Sequence, residues 1–327
     1  MTSVSTDEFR SLRATIANEL RQPVLPSVEW LANEISRLHG ETTLGVLFYG
    51  SDLRNQTDEG VIDFWVVVDD YAAAYSNAIH AAINHVAAPN VFYLERPFEG
   101  RTLRTKYGVI DRRTFERGTT LSAWHPYIWA RFAQPARALA CRDDEAREFL
   151  ALAVSQSVVT MVGRLVCMLP ARGELLRFSL AAFWQEAFRR TYDTERRPEA
   201  EDLIRGLYRA NADRYDEVAT HALHHLAQQG YVKQATAHAR SFAIEIPLRA
   251  QKKARLRWLL MRSYARFLGL VRLAKTAYTF GDWVPYVLWK LERHTGRRIE
   301  LSERQRRHPL IFAWPIILPL LLRRNLR

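Results

Sequence analysis

The sequence predicts an α+β protein in three parts. These are an α/β domain over residues 1–140, a mainly helical domain over 141–245, and a basic amphipathic C-terminal region over 246–327. Three observations lead there. Up to about residue 140, short apolar runs bounded by Gly, Asn and Asp alternate with helical stretches. From Asp143 onward the helical period dominates. Charge is also segregated: of 47 Lys+Arg and 35 Asp+Glu, the stretch 246–327 holds 19 and 4. The tail is therefore net +15 and the preceding 245 residues net −3, so the tail calls for an anionic partner.

Composition narrows the class further. A hydrophobic fraction of 48% in 327 residues excludes wholesale disorder. Two cysteines, Cys141 and Cys167, make neither a disulfide framework nor a Cys-rich zinc site, which points to a reducing compartment. The first 22 residues carry Asp7, Glu8 and Glu19 and read as neither a secretory signal nor a transit peptide. No run reaches the ~20 apolar residues a spanning helix needs.

The elements follow in order. Asp7–His39 reads as helix, divided by Pro23 and Pro26. Thr43–Tyr49 is a buried strand ending in the Gly50-Ser51 turn. The polar stretch 52–60 leads to a second strand, Val61–Val68, closed by Asp69 and Asp70. Ala-rich Tyr71–Ala87 is a helix, and Asn90–Leu94 and Arg101–Ile110 are strands. Helices are then expected at Ala146–Met168, Leu175–Tyr192, Glu199–Gln229 and Gln234–Arg240, with 194–198 as an exposed loop.

The chemistry begins at Gly50, Ser51 and Asp63. A strand ending in Gly-Ser, about ten polar residues and a strand carrying Asp form the arrangement of polymerase-beta-type nucleotidyltransferases. Gly lets the backbone approach phosphates, and N–H groups and the Ser hydroxyl donate to their oxygens. A carboxylate on the neighbouring strand holds the divalent metal that neutralises the phosphates. The usual second carboxylate of that strand is replaced here by Trp65. Asp111, at the end of the next strand, is the candidate second ligand, whereas Asp69 reads as a polar strand terminus.

Five further segments, in order, carry a family resemblance. Lys106-Tyr107-Gly108-Val109-Ile110 follows Gly100-Arg101. Phe48-Tyr49-Gly50-Ser51 and Ile62-Asp63-Phe64 through Val68-Asp69-Asp70 precede it. Tyr127 to Pro135 (YIWARFAQP), then Ser157 to Thr160 with Met168-Leu169-Pro170, come after it. Together they resemble the mitochondrial-type phosphatidate cytidylyltransferases, the translocator assembly and maintenance family, with this chain as a bacterial-like member. The resemblance spans about residues 40–215. The family strand likewise lacks the second carboxylate, but it usually has Ser where Asp111 stands.

The resemblance implies a reaction of CTP with phosphatidic acid to give CDP-diacylglycerol and pyrophosphate, with Mg2+. In that reading Gly50 and Ser51 cradle the CTP phosphates and Asp63 ligates magnesium. Lys106 pairs with a phosphate oxygen and Arg131 binds the lipid phosphate bidentately. A solvated strand lysine and a helix-surface salt bridge are the competing readings of Lys106 and Arg131. Tyr107 reads as packing. His221, His224 and His225 share a helix and read as its surface rather than as a metal site.

The tail bears on the lipid. Ala254–Lys275 places Leu256, Leu259, Leu260, Phe267, Leu270, Val271 and Ala274 on one helical face, with Arg255, Arg257, Arg262, Arg266 and Arg272 at its edges or opposite, the pattern of an interfacial helix. Packing of that face on the core is the alternative. Pro309–Leu322 is apolar, bracketed by arginines and broken by three prolines. A shallow insertion at an anionic membrane surface fits it better than a span. Leu288–Gly296 reads as a short helix without chemistry. The expectation is an enzyme peripheral on the inner, cytoplasmic face of the cell membrane, with no nucleic-acid partner, because a greasy run without interleaved basic residues suits RNA poorly. The other readings are a nucleotidyltransferase acting on RNA or a small molecule, and a membrane-surface scaffold whose fold has lost catalysis.

Overall fold

The computed structural model describes residues 6–170, 173–195, 201–233, 235–238 and 240–279. The chain opens with α1 (Asp7–Leu20), capped by Thr6, and α2 (Pro26–His39), which has Pro at its start. A mixed region follows: β1 (Thr43–Tyr49), α3 (Ser51–Asn55), β2 (Val61–Val68), α4 (Tyr71–Ala74), α5 (Ala78–Ala87), β3 (Asn90–Phe98), β4 (Arg101–Asp111), α6 (Arg112–Thr119), α7 (Trp129–Phe132) and β5 (Ala136–Leu139). The remainder is α8 (Asp144–Val166), β6 (Leu175–Ser179), α9 (Leu180–Thr194), α10 (Glu201–Arg209), α11 (Ala212–Gln228), β7 (Ala235–His238), β8 (Ser241–Glu245) and α12 (Leu248–Thr279). The α+β class read from the sequence is the one observed.

Five strands make one sheet in the order β3-β4-β2-β1-β5. The pair β2–β4 is parallel and the other neighbours are antiparallel. A parallel pair needs a crossover, and α4, α5 and β3 supply it. The sheet is covered on both faces, which explains why β2 reads as a nearly continuous apolar run. Val46, Phe48, Phe64, Val66 and Val109 face α2, through Val28, Leu31 and Ile35. Leu47, Trp65, Val67 and Ile110 face the other way, into the larger core with Phe115, Phe132 and the helices beyond.

That larger core joins the sheet to the helical part without a break, from Leu12 to Met261. Helix α8 is its axis. From Phe149 onward it is largely apolar around its circumference because it is buried there, and Asp143 caps it by accepting from the Ala146 N–H at 2.7 Å. By length and composition α8 is the one helix among the described residues that could cross a membrane, but 89% of its apolar window is buried within the protein.

The structure departs from the sequence expectations at several places. Leu175–Ser179 is a strand, not the first turn of a helix, and Ser179 instead caps α9. Ala235–His238 is also a strand, and with β8 these form a second sheet, β6-β8-β7. The expected 199–229 helix is two, α10 and α11. The expected helix at Tyr71–Ala87 is two as well, each begun by a capping side chain, Asp70 and then Asn77. Helix α1 packs on α8 and α11 and touches the sheet at β5. Its buried Glu19 accepts from Arg214 of α11 at 2.6 Å and from the Ala136 N–H of β5 at 3.1 Å. Leu288–Gly296 and Pro309–Leu322 lie outside the described residues.

Candidate active site

The site grows from one strand register. Antiparallel pairing sets Tyr49, the last residue of β1, opposite Asp63 of β2. Parallel pairing sets Lys106 of β4 beside the same Asp63. Asp63 and Lys106 therefore point to one face, and Lys106 Nζ lies 3.1 Å from Asp63 Oδ1. Both side chains keep access to water, at 19% and 34% exposure.

Gly50 follows at φ +98°, a conformation that L side chains rarely adopt. A Cβ there would stand 3.5 Å from Asp63 Oδ2, so the turn lies directly against the carboxylate. Ser51 opens α3. The segment joining this turn to β2 is tied down by Asp58. Its carboxylate takes both guanidinium nitrogens of Arg101, at 2.7 and 2.5 Å, and the hydroxyl of Ser27. The Arg101 hydrogen bond, with help from Ser27, holds the Asp58 carboxyl below the usual carboxylate range. Arg101 begins the strand that carries Lys106, so one fork pair joins both halves of the site.

Arg131 stands on the same sheet face. Its guanidinium meets Glu195 at 2.6 Å, donates to the Tyr127 carbonyl at 2.5 Å, and lies 3.8 Å over the Tyr127 ring. Burial alone would push its pKa down, but Glu195, Tyr127 and Tyr49 more than offset this and it stays charged. Tyr49 sits among these groups. Burial first, then the Asp63 charge, pushes its phenol well above the ordinary range, so it is a neutral wall of the site.

Gly50, Ser51, Asp63 and Lys106 are thus brought together, with Arg131 beside them. Asp111 is not, and the expectation that it shares a metal with Asp63 is corrected. Its register partner is Val68 and Asp63's is Lys106, so the two lie five residues apart along the paired strands, roughly 17 Å. Asp111 instead caps α6, accepting from the Thr114 N–H at 2.6 Å. Asp69 pairs with Arg142, as a strand terminus would. His221 meets Glu8 at 2.7 Å, and His225 meets Thr6 at the same distance. These histidines join α11 to the start of the chain.

No group of three or more His, Cys, Asp or Glu fit to hold a metal exists among the described residues. The donor set still suits magnesium brought by a triphosphate, which is commonly held by one or two carboxylates plus phosphate oxygens. Asp63 supplies one such carboxylate. Sequence reading missed Tyr49, Asp58, Arg101 and Glu195. Tyr49 and Arg101 carried signals, one immediately before Gly50 and the other in the Gly100-Arg101 pair ahead of Lys106, whereas Asp58 and Glu195 take their roles from contacts distant in sequence.

No family model matches the chain, and no curated protein matches it. Among the solved structures that match is a nucleotidyltransferase-like protein from Exiguobacterium sibiricum 255-15. It is 14% identical, with 91% of this chain and 92% of that chain covered, at a TM-score of 0.27. A likeness of that size carries no inference about substrate or reaction.

Proposed function

We propose that this chain is a nucleotidyltransferase, and more specifically a CTP:phosphatidate cytidylyltransferase that works at a membrane surface. The observation that carries the reading is the convergence of Gly50, Ser51, Asp63 and Lys106 where the end of β1, the start of β2 and the middle of β4 lie side by side. The choice of CTP and phosphatidic acid rests on the sequence resemblance.

In this reading the N–H groups and hydroxyl at Gly50-Ser51 receive phosphate oxygens. Asp63 would hold the Mg2+ that accompanies the triphosphate, an ion that supplies charge neutralisation. Lys106, now on Asp63, is placed to turn to a phosphate oxygen when the nucleotide enters. An acceptor phosphate oxygen then attacks the α-phosphorus. The bond from that phosphorus to the bridging oxygen breaks, and pyrophosphate leaves with the electron pair. The attacking oxygen is already ionised, so no general base is needed, and the protein contributes position and electrostatic stabilisation.

Helix α12 supports the membrane part of the reading. Its buried side is Trp258, Met261 and Leu268. The apolar stripe picked out in the sequence faces solvent instead, with Leu256, Leu259, Leu260 and Phe267 between 55% and 61% exposed. Lys252, Lys253 and Arg255 flank it and suit an anionic bilayer. An inner-leaflet, cytoplasmic location and the absence of a nucleic-acid partner belong to the same proposal.

A second reading, a nucleotide-binding scaffold without turnover, is favoured by one observation: the lone carboxylate is already paired with Lys106. The deciding experiment incubates labelled CTP and Mg2+ with phosphatidic acid liposomes and looks for a lipid-soluble nucleotide. Its appearance supports the transferase. Binding of CTP without any such product supports the scaffold.

A further inference from the structure

The end of α9 ties the candidate site to α12. Thr194, the last residue of α9, is buried and donates to the Thr191 carbonyl at 2.6 Å. Asp193 and Glu195 flank it, and their carboxylates go to different neighbours. Glu195 takes both terminal nitrogens of Arg131 on α7, Nη1 at 2.6 Å and Nη2 at 2.9 Å. Asp193 takes two arginines of α12, Arg262 Nε at 2.8 Å and Arg266 at 2.9 Å. Arg266 also donates to the Asp193 carbonyl at 3.3 Å. A second tie runs alongside. Arg131 donates to the Tyr127 carbonyl at 2.5 Å, and the Arg272 guanidinium of α12 lies 3.9 Å over the Tyr127 ring. Helix α12 therefore grips α9 and the Tyr127 segment with its arginines, while Leu256, Leu259, Leu260 and Phe267 face solvent.

We propose that Glu195 and Asp193 are positioning residues for the transfer reaction, which hold the Arg131 charge at the acceptor phosphate by joining α7 to α12. The acceptor phosphate rests on the transferase reading, whereas the tie itself does not. Helix α7 has four residues, Trp129–Phe132, too few to fix a long side chain by their own packing. A free arginine would lose considerable rotamer entropy on each encounter with a phosphate. The paired contacts of Glu195 remove that freedom in advance, since a carboxylate and a guanidinium meet in one plane. A charge held in place contributes more to a reaction than one that must first be ordered.

The electrostatics agree. Burial works against the Arg131 charge, and of the groups that offset it Glu195 acts most strongly. After burial, the charges of Asp63 and Arg131 act most on Tyr49, so Arg131 is held within reach of the site. The edge of the guanidinium that carries both Nη atoms is taken by Glu195, so Arg131 serves as a fixed charge rather than as a two-point clamp on the phosphate. The sheet carries Asp63 and Lys106, and the third charge is aimed by residues outside 1–140.

The test uses the full chain and measures transfer from CTP to dihexanoyl phosphatidic acid, a soluble acceptor, so that membrane contact plays no part. Glu195→Ala should raise KM for the acceptor roughly tenfold, and Glu195→Gln, which keeps one oxygen for Arg131, about threefold. In both, kcat and KM for CTP should stay within about twofold. Asp193→Asn, and separately Arg262→Gln with Arg266→Gln, should each raise the acceptor KM about threefold, and all three changes together no further, because they cut one tie. Glu201→Gln, which breaks an exposed pair with Arg205 on α10, is the control and should change no constant. Hydrogen exchange over 127–134 should be faster in Glu195→Ala and Asp193→Asn than in the wild type. Should Glu195→Ala not fold, Glu195→Gln and Asp193→Asn carry both measurements. An unchanged or lowered acceptor KM in folded variants, multiplying effects of the Asp193 and arginine changes, or unchanged exchange over 127–134 overturns the proposal. Absence of transfer by the wild type, with faster exchange in the variants, sinks the transferase reading and leaves the tie between α7 and α12 standing.

Discussion

Asp63 and Lys106 are register neighbours on parallel strands, and their side chains meet at 3.1 Å. A partly exposed pair of this kind contributes about 0–1 kcal/mol to stability. It therefore places two opposite charges side by side at little energetic consequence, and either can be changed without unfolding the sheet. Asp63→Asn should reduce nucleotidyl transfer at least ~100-fold, a loss of about 3 kcal/mol of transition-state stabilisation, with an unchanged circular dichroism spectrum. Near-normal turnover would remove Asp63 from the chemistry.

Asp111 provides the contrasting case. As the cap of α6 it should matter to stability and not to transfer. Asp111→Ala is expected to cost about 1 kcal/mol in denaturant unfolding, while Asp111→Asn, which caps as well, is expected to be silent in both assays. A dead but folded Asp111→Asn enzyme would return this residue to the site.

Lys275 predicts a pH dependence. Its folded pKa is lowered to about 7 from 10.5, first by burial and then by Arg272. Between those values the unfolded chain holds a proton that the folded chain lacks, so stability rises with pH and is lost as pH falls towards 7. His125, lowered to about 3, is already neutral in this range. Cys167, raised to about 11 by burial, acts in the opposite direction only at higher pH. The thermal midpoint should rise from pH 7 to 8.5 in the wild type and less so in Lys275→Met. Equal slopes would show that Lys275 titrates normally.

The exposed face of α12 is testable apart from the chemistry. Leu260→Gln with Phe267→Gln removes two large side chains that are 55% and 61% exposed. Co-sedimentation with anionic liposomes should fall several-fold while CTP binding is unchanged. A loss of thermal stability without any change in liposome binding would instead make this face part of the folded core.

Much of the mixed region was legible because its signals are local. The apolar runs of β1 and β2, the Gly50-Ser51 turn and the apolar length of α8 each show in a window of a few residues. The second sheet did not show. Strands β6, β7 and β8 have 5, 4 and 5 residues, and 61 positions, 180–240, separate the end of β6 from the start of β8. Segments that short are specified by their partners more than by their own pattern. Helix α12 shows the same limit, since the sequence marks the face of Leu256, Leu259, Leu260 and Phe267 as apolar, while packing buries Trp258, Met261 and Leu268.

By itself, then, the sequence determined the α+β class, the strand that carries Asp63, the turn at Gly50 and the charge of the tail. Each depends on backbone preference, side-chain period or composition, all of which are local properties. Only the tertiary structure decided that Lys106 lies beside Asp63, that Asp111 lies too far along the strands to join it, and that Arg131 and Arg272 come to rest on the same Tyr127 ring. Those outcomes follow from strand register and helix docking. Both are settled by which buried surfaces fit together once the whole chain has closed around one core.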